Sequence, residues 1–152
     1  HSINFSTLLD TNLARHQVKA QSINMQLSVN ISAKKTNIWA DETRINQLID
    51  NVINNCFKYT KAPGNIIVSL RTEKNRAILT IDDSFPSVPT ADLTKLFDHL
   101  YRVENSRNRK TGGSGIGLSL CKNIATAHQG TISASNSAHG GISICFTLPL
   151  VK

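Results

Sequence analysis

Apolar residues along the first sixty positions recur with two different periods. Positions 5–22 carry them three or four residues apart, as on one face of a helix, and positions 25–31 alternate apolar with polar residues, as in a half-buried strand. A second short strand is predicted at 38–40. Asp41 then suits a helix N-cap. The helix that it begins should end near residue 59, and its apolar positions are Ile45, Leu48, Ile49, Val52, Ile53 and Cys56.

The middle of the chain predicts a hairpin followed by a long polar stretch. Two β-rich runs at 66–70 and 77–81 flank polar residues, which is typical of a long hairpin, and a proline-containing loop follows. Leu93, Leu96 and Phe97 predict a short helix. Residues 98–114 are polar, basic and glycine-rich without periodicity, and we interpret them as a mobile loop.

The end of the chain predicts one more helix and two strands. The helix begins near Gly115 and ends near Gly130, where glycine suits a C-terminal cap. Strands at 132–135 and 142–148, joined at Gly140-Gly141, complete the sheet. Because 152 residues show neither a repeat nor a linker, we expect a single α/β domain over residues 1–152.

Composition and charge narrow the class of protein. No apolar run approaches the roughly 20 residues of a membrane helix, and the first residues lack a signal-peptide pattern, so we expect a soluble piece. The three cysteines lack metal-ligand spacing and are expected to be reduced core residues in a cytosolic protein. The net charge of +7 favours a local phosphate site over a nucleic-acid-binding face, because much of the excess falls on Arg102, Arg107, Arg109 and Lys110.

One set of candidate functional residues lies on the predicted 41–59 helix. Asn51, Asn55 and Lys58 share a narrow sector at about 100° per residue. Amide oxygens are hard ligands that suit Mg²⁺, and a nearby lysine would neutralise phosphate charge. By itself, this stripe is more simply explained as a solvated helix face.

Two further features suggest a nucleotide. Glycines at 113, 115 and 117 open the last helix, where free backbone N–H groups bind phosphate well, although a flexible turn explains them equally. The polar residues before them exclude a Rossmann fingerprint, which needs a preceding apolar strand. Asp83, after the 77–81 strand, could accept a hydrogen bond from the amino group of a base, or could simply start a turn.

Taken in order, four motifs resemble the N, G1, F and G2 boxes of histidine-kinase catalytic domains. They are NxxxNCFKYT at 51–60, DDSFPSVP at 82–89, LFDHLYR at 96–102 and GSGIGL at 113–118. The resemblance covers about residues 3–150, and four ordered motifs are far more specific than any single one. The stretch 102–115 is particularly similar to that of an envelope-stress sensor in this family.

The resemblance implies a two-layer α/β sandwich of the Bergerat type, with a mixed sheet of about five strands, helices on one face and MgATP beneath a lid at 98–114. It implies that Asn55 ligands Mg²⁺, that Asn51 supports the metal and phosphates, and that Lys58 contacts phosphate. It also implies that Tyr59 lies near adenine and that Asp83 accepts a hydrogen bond from the adenine amino group. Asn51, Asn55 and Lys58 are the implied catalytic residues. Further implied nucleotide contacts are Val88, Tyr101, Arg102, Arg107, Arg109, Gly113, Gly115, Ile116, Gly117 and Leu118.

The G1 motif departs from the family pattern. The usual Asp-x-Gly-x-Gly is here Asp83-Ser84-Phe85-Pro86-Ser87, which lacks both glycines. If the first glycine normally takes a positive φ, Phe85 would be strained there or would force another path. A degenerate nucleotide-binding or interaction module is therefore one alternative.

The N box distinguishes between branches of the wider superfamily. Topoisomerases, mismatch-repair proteins and Hsp90-type chaperones resemble one another in placing a glutamate, the general base for water, four residues before the metal-binding asparagine. This chain has Asn51 at that position, and an amide cannot act as a general base at neutral pH. Phosphate transfer by a protein histidine kinase is thus favoured over hydrolysis, and a serine kinase of the anti-sigma-factor type is a further alternative.

The resemblance also implies partners outside this chain. The phosphate acceptor should be a histidine in a His-Glu/Asp-x-x-x-Pro setting on a separate dimerisation domain, with a response regulator downstream. None of the five histidines has that context: His1, His16, His99, His128 and His139. We expect no nucleic-acid partner. The chain would be the cytoplasmic domain of an inner-membrane sensor, in contact with the membrane only through other parts of that protein.

Overall fold

The computed structural model describes residues 1–32, 36–84, 90–93, 95–97 and 116–151. The described elements, in chain order, are β1 (Ser2–Asn4), α1 (Phe5–Ser22), β2 (Met25–Ile31), β3 (Asn37–Trp39), α2 (Glu42–Tyr59), β4 (Gly64–Glu73), β5 (Arg76–Asp83), α3 (Thr90–Leu93), α4 (Ile116–Ala127), β6 (Thr131–Asn136) and β7 (Ile142–Pro149).

The main sheet has five strands in the order β2-β4-β5-β7-β6. β2 is parallel to β4, and the other neighbouring strands are antiparallel. β1 and β3 form a separate antiparallel pair in which Ile3 lies opposite Ile38. The expected mixed sheet of about five strands is confirmed.

The core lies between this sheet and the helices on one of its faces. Side chains in a strand alternate between the two faces, and in β4 the inward positions Ile66, Val68 and Leu70 are fully buried. α2 contacts both α1 and α4 above them. The rings of Phe5 in α1 and Phe146 in β7 meet edge to face at 6.4 Å between centroids, and this contact ties the helical layer to the sheet.

The hairpin β4–β5 is longer than the apolar pattern predicts. The polar residues that we expected between its strands mostly extend the ladder, and Glu73 pairs with Arg76 across a two-residue turn. Lys74 and Asn75 both have positive φ, 51° and 63°, as tight hairpin turns require. Backbone pairing continues here because the side chains face solvent and need no apolar partner.

One other prediction is wrong, and one short strand was missed. α3 ends at Leu93 and residues 95–97 form a turn, so the predicted helix lies earlier than Leu96 and Phe97, which are buried nevertheless. β1 was not predicted, because a three-residue strand is too short to show a period. Among the described residues, no helix combines the length and hydropathy needed to cross a membrane.

Candidate functional site

α2 places its polar stripe between the core and solvent. The Asp41 side chain caps the helix by accepting a hydrogen bond from the Arg44 N–H at 3.3 Å. The apolar side is fully buried, so the side chains bordering it are fixed at the edge of the core. Asn51, Asn55 and Tyr59 are half-buried there, and Lys58 is exposed.

Asn51 joins α2 to the first turn of α4. Its Nδ2 donates a hydrogen bond to the Gly117 carbonyl at 3.2 Å. A Cβ added at Gly117 would make only ordinary contact with Asn51, at 3.8 Å from Cγ. Packing among the described residues therefore does not demand glycine at this position, whereas close approach of a ligand to the backbone would.

Behind this contact, two cysteines belong to the core. Cys121 donates from Sγ to the Leu48 carbonyl at 3.6 Å, and burial raises the pKa of its thiol to about 12. Cys56 is also buried, and its pKa is raised well above the ordinary value, first by burial and then by Asp83. Neither forms a disulfide, and nor does Cys145. The expectation of core cysteines is confirmed for Cys56 and Cys121, whereas Cys145 is only half-buried.

Asp83 ends β5 on the side of the sheet that faces the helices. Ala77, Leu79 and Ile81 are buried on that side, and Asp83 continues their alternation with only 8% of its surface exposed. Its Oδ1 accepts a hydrogen bond from the Ile142 N–H at 2.7 Å. Burial raises the pKa of the Asp83 carboxyl, although that hydrogen bond opposes the shift.

Two side chains from the end of α2 lie beside the Asp83 carboxylate. The Thr60 hydroxyl and the Cys56 thiol both favour its charged form. The Thr60 Oγ1 is buried, yet it completes no hydrogen bond of good geometry within the described part of the chain. A buried hydroxyl beside a buried carboxylate can therefore serve a ligand or a water molecule.

Gly141 belongs to this cluster, although we predicted it only as part of a turn. A Cβ added to Gly141 would overlap the Asp83 Oδ1 and come within 2.7 Å of the Asp83 carbonyl oxygen. Its neighbour Gly140 has φ of 101°, a conformation that favours glycine. Gly140 is therefore explained by its backbone conformation, and Gly141 by the lack of space for a side chain. The only sequence signal for this contact is the glycine pair itself.

The altered G1 motif begins inside the described residues and then leaves them. The Ser84 Oγ accepts a hydrogen bond from the Asn65 N–H at 3.0 Å, which ties the residue after Asp83 to β4. Phe85 and its predicted strain lie outside the described residues. So do the 98–114 lid and the predicted contacts Val88, Tyr101, Arg102, Arg107, Arg109, Gly113 and Gly115. Ile116 begins α4, and Leu118 packs partly against the core.

Two of the described histidines are held by side-chain contacts, and a third, His139, is exposed. His16 is buried, with Nδ1 3.1 Å from the Asn12 carbonyl and Nε2 3.5 Å from the Asp50 Oδ1, and burial lowers its pKa although Asp50 opposes the shift. The His128 Nδ1 donates to the Ile124 carbonyl, and its Nε2 accepts from the Asp41 N–H. His139 is exposed in the β6–β7 turn. None of the three contacts the Asp83 cluster.

The middle and the C-terminal end of α2 thus carry different chemistry. Asp83, Cys56 and Thr60 form an acceptor cluster near its C-terminus, and Asn51 meets the N-terminus of α4, where helix N–H groups lack intrahelical partners. Nine residues of helix separate Asn51 from Thr60, which is about 14 Å at 1.5 Å per residue. A nucleotide whose base lies near Thr60 and whose phosphates lie near Asn51 would fit this separation.

The donor set suits a metal only together with phosphate. The described residues contain no group of three or more His, Cys, Asp or Glu side chains that could hold a metal ion. Mg²⁺ usually takes one or two protein oxygens and completes its shell with water and substrate phosphates. The amide oxygen of Asn55, one helical turn from Asn51, fits that kind of site.

Comparisons with known proteins identify the family. The model of the family described as histidine kinase-, DNA gyrase B-, and HSP90-like ATPase matches residues 40–152. The signal transduction histidine-protein kinase BaeS of Escherichia coli (strain K12) is 39% identical over 138 residues, which cover 91% of this chain and 29% of BaeS. This chain therefore spans less than a third of that relative, and the resemblance to histidine-kinase catalytic domains expected from the sequence is confirmed.

Solved structures support the fold. The nucleotide-free catalytic domain of histidine kinase ThkA superposes with a TM-score of 0.86 at 22% identity, covering all of this chain and 98% of that one. ThkA in complex with the response regulator protein TrrA gives a TM-score of 0.83 at 21% identity, covering 99% of this chain and 42% of ThkA. The fold expected from the sequence motifs is confirmed.

Proposed function

Since the chain belongs to the family of histidine kinase-, DNA gyrase B-, and HSP90-like ATPases, we propose that it binds MgATP and phosphorylates a histidine on another domain. The observation that carries this proposal is the buried Asp83 carboxylate at the C-terminal end of α2, with the Asn51–Gly117 contact about two and a half turns earlier on the same helix. Family membership implies nucleotide binding. The metal, the residue roles and the acceptor are parts of our proposal.

The nucleotide base would lie at the Asp83 end. A carboxylate oxygen in a site of low dielectric accepts strongly from an exocyclic amino group. The Thr60 hydroxyl, which completes no hydrogen bond of good geometry among the described residues, can add a direct or water-mediated hydrogen bond. Tyr59, half-buried on the last turn of α2, would lie near the base. Adenine carries an exocyclic amino group that can donate a hydrogen bond, so it suits the Asp83 carboxylate as an acceptor.

The phosphates would lie toward Asn51. The free N–H groups in the first turn of α4, including those of Gly117 and Leu118, would bind phosphate oxygens, and the exposed Lys58 would neutralise their charge. Asn55 would hold Mg²⁺, with Asn51 in support. Bound Mg²⁺ would neutralise the β- and γ-phosphate charge.

The chain provides positioning and charge, and the acceptor has to come from elsewhere. Asn51 occupies the position of a hydrolytic base, but its Nδ2 already donates to the Gly117 carbonyl and an amide does not take a proton. Slow hydrolysis and transfer to a positioned histidine are therefore expected. We propose that this histidine lies on the dimerisation domain of the longer parent protein, a membrane sensor with a response regulator as its downstream partner.

A titration with a non-hydrolysable ATP analogue tests the proposed metal and nucleotide roles. We expect saturable binding that Mg²⁺ strengthens in the wild type, and loss of the Mg²⁺ dependence in Asn55→Ala. Asn54→Ala is the matched control, because Asn54 is the neighbouring asparagine on α2 and is exposed. Absence of binding to a folded wild type would favour the interaction-module alternative, and an Asn55→Ala variant that kept its Mg²⁺ dependence would exclude Asn55 as the ligand.

Incubation with γ-labelled ATP and the dimerisation domain of the parent protein tests the reaction itself. A histidine kinase should produce a label that survives alkali and is lost in acid, as expected of phosphohistidine. An acid-stable label on serine would favour the anti-sigma-factor type of kinase. In the absence of the acceptor domain, we expect only slow release of inorganic phosphate.

A further inference from the structure

Gly141 occupies an unusual place beside the proposed base-binding carboxylate. It is buried immediately before β7, and the next backbone N–H, of Ile142, donates to the Asp83 Oδ1 at 2.7 Å. A Cβ at position 141 would overlap that same oxygen. The volume that a side chain would fill is therefore already occupied by the Asp83 carboxylate, and the Asp83 backbone carbonyl oxygen lies 2.7 Å from the same position.

The turn itself does not account for this glycine. The β6–β7 turn is closed by hydrogen bonds from the Ser137 N–H to the Gly141 carbonyl at 2.8 Å and from the Gly140 N–H to the Ser137 carbonyl at 3.1 Å. The conformation that favours glycine, φ of 101°, falls on Gly140. At Gly141 the requirement is for space, and the group that takes the space is Asp83.

We infer that Gly141 is a positioning residue for base recognition, because it lets the Asp83 carboxylate lie against β7 and keep a single orientation through the Ile142 N–H. This inference rests on the proposed function. With one oxygen held by Ile142, the carboxylate presents its other oxygen to the base in a fixed direction. A side chain at 141 would displace the carboxylate, together with the Asp83 backbone carbonyl behind it, while leaving the charge present. Affinity should therefore fall chiefly for bases that carry an amino group.

Binding of two nucleotides that differ by one group isolates this effect. ADP and purine riboside 5′-diphosphate differ only in that the second has a hydrogen in place of the 6-amino group. We expect the wild type to prefer ADP by about tenfold or more, as for a charge-assisted hydrogen bond. In Gly141→Ala, ADP affinity should fall until the two nucleotides bind almost equally, with little change for the analogue.

The matched control is His139→Ala, which changes an exposed side chain in the same turn and should keep the wild-type preference. Adding Gly141→Ala to Asp83→Asn should cause little further loss of ADP affinity, because both act through one carboxylate. An undiminished preference for ADP in a folded Gly141→Ala protein would overturn the inference. Equal weakening of both nucleotides would also overturn it, since that result indicates general distortion of the site.

A second variant covers the case in which Gly141→Ala does not fold. Asp83→Glu retains Gly141 and the charge but moves the carboxylate by one methylene, away from its place against the Ile142 N–H. It should lose the preference for ADP as Gly141→Ala does, and a retained preference would refute the positioning role. If the wild type binds neither nucleotide, the proposed function itself fails, and this outcome is distinct from a failure of the inference.

Discussion

Replacing Asp83 with asparagine should separate nucleotide binding from stability. Asparagine keeps the size of the side chain and an oxygen that can accept from the Ile142 N–H, but it removes the charge from a site that is 8% exposed. With its one oxygen on the Ile142 N–H, asparagine turns its amide nitrogen, a donor, toward the base, so the charge-assisted hydrogen bond from the adenine amino group is lost. Such a bond is worth about 1.5–3 kcal/mol, which corresponds to roughly 10- to 150-fold weaker binding. Titration calorimetry with ADP measures this loss.

The same substitution, which weakens ADP binding, should not lower the free energy of unfolding at neutral pH. Burial raises the pKa of Asp83, so the folded state holds this proton more tightly than the unfolded chain does. This proton therefore adds to the free energy of unfolding at low pH. The added stability is lost as the pH rises from the ordinary aspartate pKa through the folded pKa. At neutral pH, Asp83→Asn should therefore be as stable as the wild type or more so, within about 1 kcal/mol.

Urea unfolding across that pH range checks the sign, and Asp82→Asn is the control. Asp82 lies one position earlier in β5, on the opposite face of the sheet, and carries the same charge. The stability of the wild type relative to Asp83→Asn should decline as the pH rises through the folded pKa and then stay constant. Destabilisation of Asp83→Asn by more than about 2 kcal/mol at pH 7, or unchanged ADP affinity, would refute this reasoning.

Two further predictions concern the helical layer. Burial lowers the pKa of His16; Asp50 opposes this shift, and Arg15 and Lys19 add to it. The contribution of His16 to the free energy of unfolding should therefore be fully present above the ordinary histidine pKa, and it should be lost as the pH falls through the folded pKa. In His16→Gln this component of urea-unfolding curves recorded against pH should disappear, and its persistence would assign it to another group. Asp41→Ala should lower the free energy of unfolding by about 0.5–2 kcal/mol, because it removes the α2 cap. Thermal unfolding measures this loss, and Glu42→Ala is the control, since Glu42 is the exposed neighbour and does not cap the helix. Equal melting temperatures of the two variants would contradict the capping role.

Much of the candidate site could be predicted because its residues lie on regular elements. The helical period of α2 separates a buried side from the stripe of Asn51, Asn55 and Lys58, and the structure keeps that separation. Asp83 follows the alternation of Ala77, Leu79 and Ile81, so its place at the end of a strand was also within reach of the pattern. Local periodicity reveals which side of an element is buried.

The sequence by itself determined the three long helices, most of the strands and the family, since local patterns and four ordered motifs suffice for these. Tertiary structure alone decided the strand order, the parallel pairing of β2 with β4, and the contact of Gly141 with Asp83, 58 positions earlier. It also decided that Asn51 bonds to α4 and that His16 is buried against Asp50. Such contacts depend on how distant segments pack together, and no period in the sequence records which segments meet.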